Sequence, residues 1–129
     1  MDKRFFTVQE ANELIPFLSE RLRKLRSTYL RLKKNLEGTY PPLQEVIVRG
    51  GMPVRLRYFQ LICRFQSLIS EIGSQGCHVK DFDSGLVDFP TIWEGREVCL
   101  CWKLGEPEVS FWHEVDAGYA GRQPLKLHP

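Results

Sequence analysis

Apolar residues recur along the first half of the chain at alternating steps of four and three: Leu18, Leu22, Leu25, Tyr29, Leu32 and Leu36. This heptad spacing predicts one long helix with a single apolar seam. Upstream, Thr7-Val8-Gln9-Glu10 has the form of a capping box, so a helix should begin near Val8. Pro16 lacks an amide proton and collides with the preceding turn; the helix should kink there or restart with Pro16 in its first turn. Gly38, Pro41 and Pro42 should end it, Leu43 to Arg49 reads as an extended connector, and Gly50-Gly51-Met52-Pro53 as a turn opening a second helix. There Tyr58, Ile62, Phe65, Ile69 and Ile72 repeat the spacing until Gly73 and Gly76 stop it. Two such seams predict an antiparallel two-helix hairpin over residues 7–75.

From Cys77 the period changes to two. Ser84-Gly85, Glu94-Gly95 and Gly105-Glu106-Pro107 mark off strands near 77–81, 86–93, 96–104 and 108–115. On the third, Val98, Leu100, Trp102 and Leu104 share one face, and Glu97, Cys99, Cys101 and Lys103 the other; on the fourth, Val109, Phe111, His113 and Val115 align. The apolar faces are expected to pack on the hairpin. The fold class is therefore α+β: a helical hairpin on a small antiparallel β-meander of three to four strands (77–115), with an irregular tail over 116–129. Helices of roughly 20 to 29 residues would run about 30 to 43 Å, whereas eight-residue strands reach about 26 Å. Part of the seam should overhang the sheet, and a homodimer through that seam is the expected way to cover it.

A chain of 129 residues with 43% hydrophobic side chains suits one domain with its own core. No apolar run approaches a membrane span, and Met1 to Phe6 does not read as a leader, so a cytoplasmic protein is expected. Cys63, Cys77, Cys99 and Cys101 form no Cys-x-x-Cys pair; free thiols are expected, and a zinc site from Cys77, Cys99, Cys101 and a histidine lacks paired spacing. The net charge of +2 hides an asymmetry. Residues 1–64 carry 13 Lys/Arg against 6 Asp/Glu, and residues 65–129 carry 5 against 10, giving halves of +7 and −5. The halves could attract each other or different ligands.

The blocks FTVQEANELIPFL (Phe6 to Leu18), KDFDSGLVDFP (Lys80 to Pro90), GREVCLCWKLGE (Gly95 to Glu106) and FWHEVDAGYAGRQPL (Phe111 to Leu125) together resemble a bacterial family catalogued as domain of unknown function 2203. The resemblance implies no activity and brings no catalytic residues with it. It implies only that the second half holds the characteristic polar residues.

Candidate chemistry gathers in that half. Asp81, Asp83 and Asp88 lie around one turn, where close carboxylates can hold a hard cation or raise each other's proton affinity. The run after Asp81-Phe82-Asp83 lacks the remaining ligands of an EF-hand, which excludes that motif. A divalent metal, magnesium or manganese, held by Asp81, Asp83 and His113 is one candidate; capping carboxylates on a turn are the plainer account. Asp88, between Val87 and Phe89, needs a partner if it points inward. Arg96 and Arg122 are candidates for a salt bridge or for a pocket holding an anionic ligand. His113 is either a hydrogen-bonded core residue or a base or metal ligand oriented by Asp88 or Asp116. A triad with Ser84 or Ser110 lacks a nucleophile elbow. Gly118 to Arg122 is a weak phosphate-loop candidate beside the plainer reading of a tail packed on the core. The run Arg21, Arg23, Lys24, Arg26, Arg31, Lys33, Lys34 could bind nucleic acid, although such positions ordinarily form a solvated helix face. The expectation is thus a dimeric binding or regulatory module with a ligand site of Asp81, Asp83, Asp88, Arg96, Trp102, His113 and Arg122 at the sheet rim. A metal-assisted or acid-base enzyme using the same residues is the alternative. No motif names a reaction.

Overall fold

The computed structural model describes residues 3–34 and 52–125. The connector predicted over Leu43 to Arg49 lies outside the described residues, as do Leu36, Gly38, Pro41, Pro42, Gly50 and Gly51; Met52 and Pro53 open the second helix as expected.

Thr7 caps helix α1 (Val8–Glu13) with both halves of the capping box formed: its hydroxyl accepts from Glu10 N at 3.1 Å, and the Glu10 carboxylate accepts from Thr7 N at 2.9 Å. Leu14 ends α1, and α2 (Ile15–Lys34) starts again with Pro16 in its first turn, where no intrahelical donor is needed. Helix α3 (Met52–Gly73) runs back along it. Tyr29 meets Phe65, and Arg21 near the start of α2 bonds Glu71 near the end of α3, so the pair is antiparallel. The seam residues Leu18, Leu22, Leu25 and Leu32 are buried, together with Leu68 and Ile72 from the C-terminal half of α3. In the other half of α3, Leu56 and Phe59 are exposed.

The sheet has five antiparallel strands in sequence order: β1 (His78–Asp81), β2 (Leu86–Trp93), β3 (Arg96–Lys103), β4 (Phe111–Glu114) and β5 (Gln123–Pro124). The fifth strand corrects the expectation of an irregular tail. After a short 3₁₀ turn (Tyr119–Gly121), Gln123 and Pro124 pair with Trp112 and Phe111. Between β2 and β3, Glu94 and Gly95 both have positive φ (51° and 79°). That is the two-residue turn whose twist matches its strands, and it fixes a register pairing Trp93 with Arg96 and Asp88 with Cys101. Beyond β1 the N-terminal segment meets the β2 edge at one point, where Phe6 N donates to Pro90 O at 2.7 Å.

Residues paired across antiparallel strands point to one side, so the register divides the sheet into two faces. Val87, Phe89, Leu100, Trp102 and Trp112 face the helices. Leu86, Asp88, Pro90, Cys99, Cys101, Phe111 and His113 form the outer face. The expectation that Phe111 and His113 pack on the hairpin is thereby corrected. Cys99 pairs with His113 and Leu100 with Trp112, so it is Trp112 that joins the core.

Candidate functional site

Three adjacent strands each place one donor at the same point on the outer face: Asp88 from β2, Cys101 from β3 and His113 from β4. A carboxylate oxygen, Sγ and a ring nitrogen of the three all lie within 4.8 Å of one another. Asp88, Cys101 and His113 are 3%, 0% and 1% exposed. Such burial of two ionisable groups demands mutual satisfaction, and the bonding provides it. His113 Nε2 lies 3.0 Å from Asp88 Oδ1, and Nδ1 lies 2.7 Å from the Glu114 carbonyl oxygen. A carbonyl only accepts, so Nδ1 carries one proton, and a second proton, on Nε2 or on Asp88, makes the 3.0 Å bond between them.

Burial, and after it the charge of Asp88, pushes the Cys101 thiol up to about 11; the neighbouring Arg122 guanidinium acts in the opposite direction. Cys99 is likewise pushed to about 11, first by burial and then by Asp88. Without a cation both are thiols at neutral pH, which argues against a free thiolate nucleophile. Two further donors flank the cluster: Cys99 opposite His113 and the exposed His78 opposite Asp88.

The tail shields one side of this cluster. Arg122 stacks on Phe111 and Tyr119, with its guanidinium carbon 4.1 and 4.9 Å from the ring centroids. It reaches Cys101 O at 3.3 Å and forks onto Glu106, with contacts of 2.7 and 3.0 Å. Glu106 also receives Lys103 N on its carboxylate and Trp102 Nε1 on its carbonyl. One residue thus ties tail, turn and core.

The other predicted site residues lie elsewhere. Asp81 accepts from the backbone N and hydroxyl of Ser84, its pKa lowered chiefly by the hydroxyl bond, and is exposed. It is a turn cap. Neither Asp81 nor Asp83 belongs to the metal-ligating group formed by His113. Arg96 pairs with Glu114 rather than Asp88, on the helix-facing side of the sheet, and Trp102 is fully buried in the core on that side. Asp88 therefore has an imidazole and a thiol as neighbours where a guanidinium was expected. Cys77 also lies in the core, its thiol donating to Ile72 O at 3.5 Å, away from the cluster. Cys101 is the residue that the predicted site omits. The two-residue Glu94-Gly95 turn carried the signal, since counting back from it pairs Cys101 with Asp88.

Taken together these features define a small α+β domain with a buried carboxylate, imidazole and thiol on the outer face of its sheet. The chain belongs to the family described as "Uncharacterized conserved protein (DUF2203)", which matches residues 4–125. No curated protein and no solved structure matches it.

Proposed function

We propose that the protein is a binding module for one divalent transition-metal ion of the zinc class, held by Asp88, Cys101 and His113. The observation that carries this is the convergence of the three donors around a histidine whose Nδ1–H is already given to a backbone carbonyl. That is the arrangement by which metal-ligating imidazoles are oriented with Nε2 free to coordinate. A mixed oxygen, nitrogen and sulfur set suits a borderline-soft cation over magnesium or calcium, which prefer oxygen alone. Charge agrees: a divalent cation with one carboxylate and one thiolate is neutral, which suits a buried site. Tetrahedral zinc bonds of about 2.0 to 2.3 Å set donors roughly 3.3 to 3.8 Å apart, so loading requires the Asp88–His113 pair to open slightly from 3.0 Å and the release of two protons to solvent, the one between that pair and the one on the Cys101 thiol. Three ligands leave a fourth position, with Cys99 and His78 as the nearest further donors on that face. The same reading takes the chain to be cytoplasmic, where four free cysteines stay reduced. Among the described residues no helix is long and apolar enough to cross a membrane.

The test is titration of chelator-treated protein with cobalt(II) alone. Expected are a near-ultraviolet thiolate-to-cobalt band at one equivalent and a zinc-dependent rise in thermal midpoint. Cys101→Ser should remove the band and His113→Ala should weaken binding at least about tenfold. A spectrum unchanged by Cys101→Ser, or no uptake of either ion, would overturn the reading.

A further inference from the structure

On the other side of the sheet, α2 and the turn after β3 border an open groove of about 680 Å³ lined by Arg23, Arg26, Ser27, Leu30, Arg31, Leu104 and Gly105. The helical residues stand at i, i+3, i+4, i+7 and i+8, which is one face of α2. Their neighbours on the helix are compensated: Arg21 pairs with Glu20 and Glu71, and Lys24 with Glu20. Arg23, Arg26 and Arg31 make no ion pair among the described residues. The helix dipole favours cations in the last turn and so accounts for Arg31, Lys33 and Lys34. It does not account for Arg23 and Arg26, which lie mid-helix, where like charges three apart repel.

The groove also has an apolar side. Leu30 is 42% exposed, and Leu104 borders the same space. A volume of this order suits a small molecule. Nucleic acid would instead call for stacking aromatics or a reading helix, and among the described residues no aromatic lines the groove. Guanidinium forks match the oxygens of a phosphate group, while Leu30 and Leu104 can take an adjoining hydrocarbon part. We infer that this groove is a binding site for a small organic phosphate, its phosphate held by Arg23, Arg26 and Arg31 and its apolar part resting on Leu30 and Leu104.

The test uses the full chain with three probes: hexyl phosphate, inorganic phosphate and a single-stranded 20-mer oligonucleotide, followed by calorimetry. Hexyl phosphate should bind at least about tenfold tighter than inorganic phosphate, because only it buries methylenes. Arg23→Gln with Arg26→Gln should weaken hexyl phosphate at least about tenfold. Leu30→Gln should erase the preference for the hexyl chain and leave inorganic phosphate binding unchanged. Cys101→Ser, nearly isosteric at the metal cluster, should change neither, which separates this site from that cluster. All of the substituted groove residues are exposed or half-buried, so an unchanged thermal midpoint confirms folding. Absence of hexyl phosphate binding, or binding indifferent to the arginine pair, overturns the inference. So does an oligonucleotide that outcompetes hexyl phosphate with a steep salt dependence, which would make the groove a nucleic-acid surface.

Discussion

The two faces of the sheet are buried to a similar degree by different means. On the helix-facing side Val87, Phe89, Val98, Leu100 and Trp102 are fully buried, and removal of apolar area from water is sufficient reason. On the outer side Asp88, Cys101 and His113 are almost as inaccessible, yet no helix among the described residues covers them, and two of the three lose hydration by being there. Their burial depends on hydrogen bonds from His113 to Asp88 and Glu114 and on a tail anchored through Arg122 to Glu106. Equal exposure thus conceals unequal reasons. The first face stabilises the fold; the second holds donors that an apolar residue could replace if stability were the only requirement.

The largest effects should separate the faces. Trp102→Ala removes the largest fully buried side chain among the described residues and should cost about 3 to 5 kcal/mol in urea unfolding. On the outer face His113→Ala strands Asp88 and should cost a similar amount, about 3 to 5 kcal/mol. The contrast lies in the repair. Asp88→Leu combined with His113→Leu should restore stability to within about 1 kcal/mol of the wild type, since exchanging a buried pair for apolar groups is often neutral or better, and should abolish cobalt binding. A double variant as unstable as His113→Ala would show that the pair is needed by the fold itself.

A smaller effect tests the cover. Glu106→Ala frees the Arg122 fork and the Lys103 amide and should cost about 2 kcal/mol. If the tail closes the outer face, Cys99 and Cys101 in this variant should react faster with a thiol reagent while Cys77, behind the sheet, stays protected. Equal reactivity of all three would remove the distinction between the faces.

How much of this was legible depended on where register was fixed locally. The capping box at Thr7, the restart at Pro16 and the alternating faces of β3 all follow from spacing within a few residues. Asp88 and Cys101 could be paired because two residues join β2 to β3. The Gly105-Glu106-Pro107 turn sets no such register, and period two alone aligns His113 with apolar Val109 and Phe111 without telling which side of the sheet they face; pairing with Cys99 puts His113 outside. Arg122 was visible as a cation, but its partner, Glu106, lies 16 residues back across a turn. Counting alone could not find it. Asp81 and Asp83 drew attention through density of charge, which measures composition and not convergence.

The smallest prediction concerns Cys77, a thiol on the helix-facing side with no part in the metal cluster. Burial raises it to about 11 from its usual value near 9. The folded state therefore keeps a proton that the unfolded state loses between pH 9 and about 11, so the unfolded state binds fewer protons there and stability falls as pH rises. The contribution is complete below pH 9 and should decline by up to about 1.4 kcal/mol per pH unit across that window. Cys77→Ala lowers stability at neutral pH through the lost packing but should make the alkaline decline shallower, the remainder coming from Cys99 and Cys101, which are raised to a similar value; urea unfolding at pH 8, 9 and 10 measures the slope. If the slope is unchanged in Cys77→Ala and removed instead in Cys99→Ala, the alkaline sensitivity belongs to the outer face. The helix-facing side would then be insensitive to pH in this range, and the two faces would differ more sharply than burial alone implies.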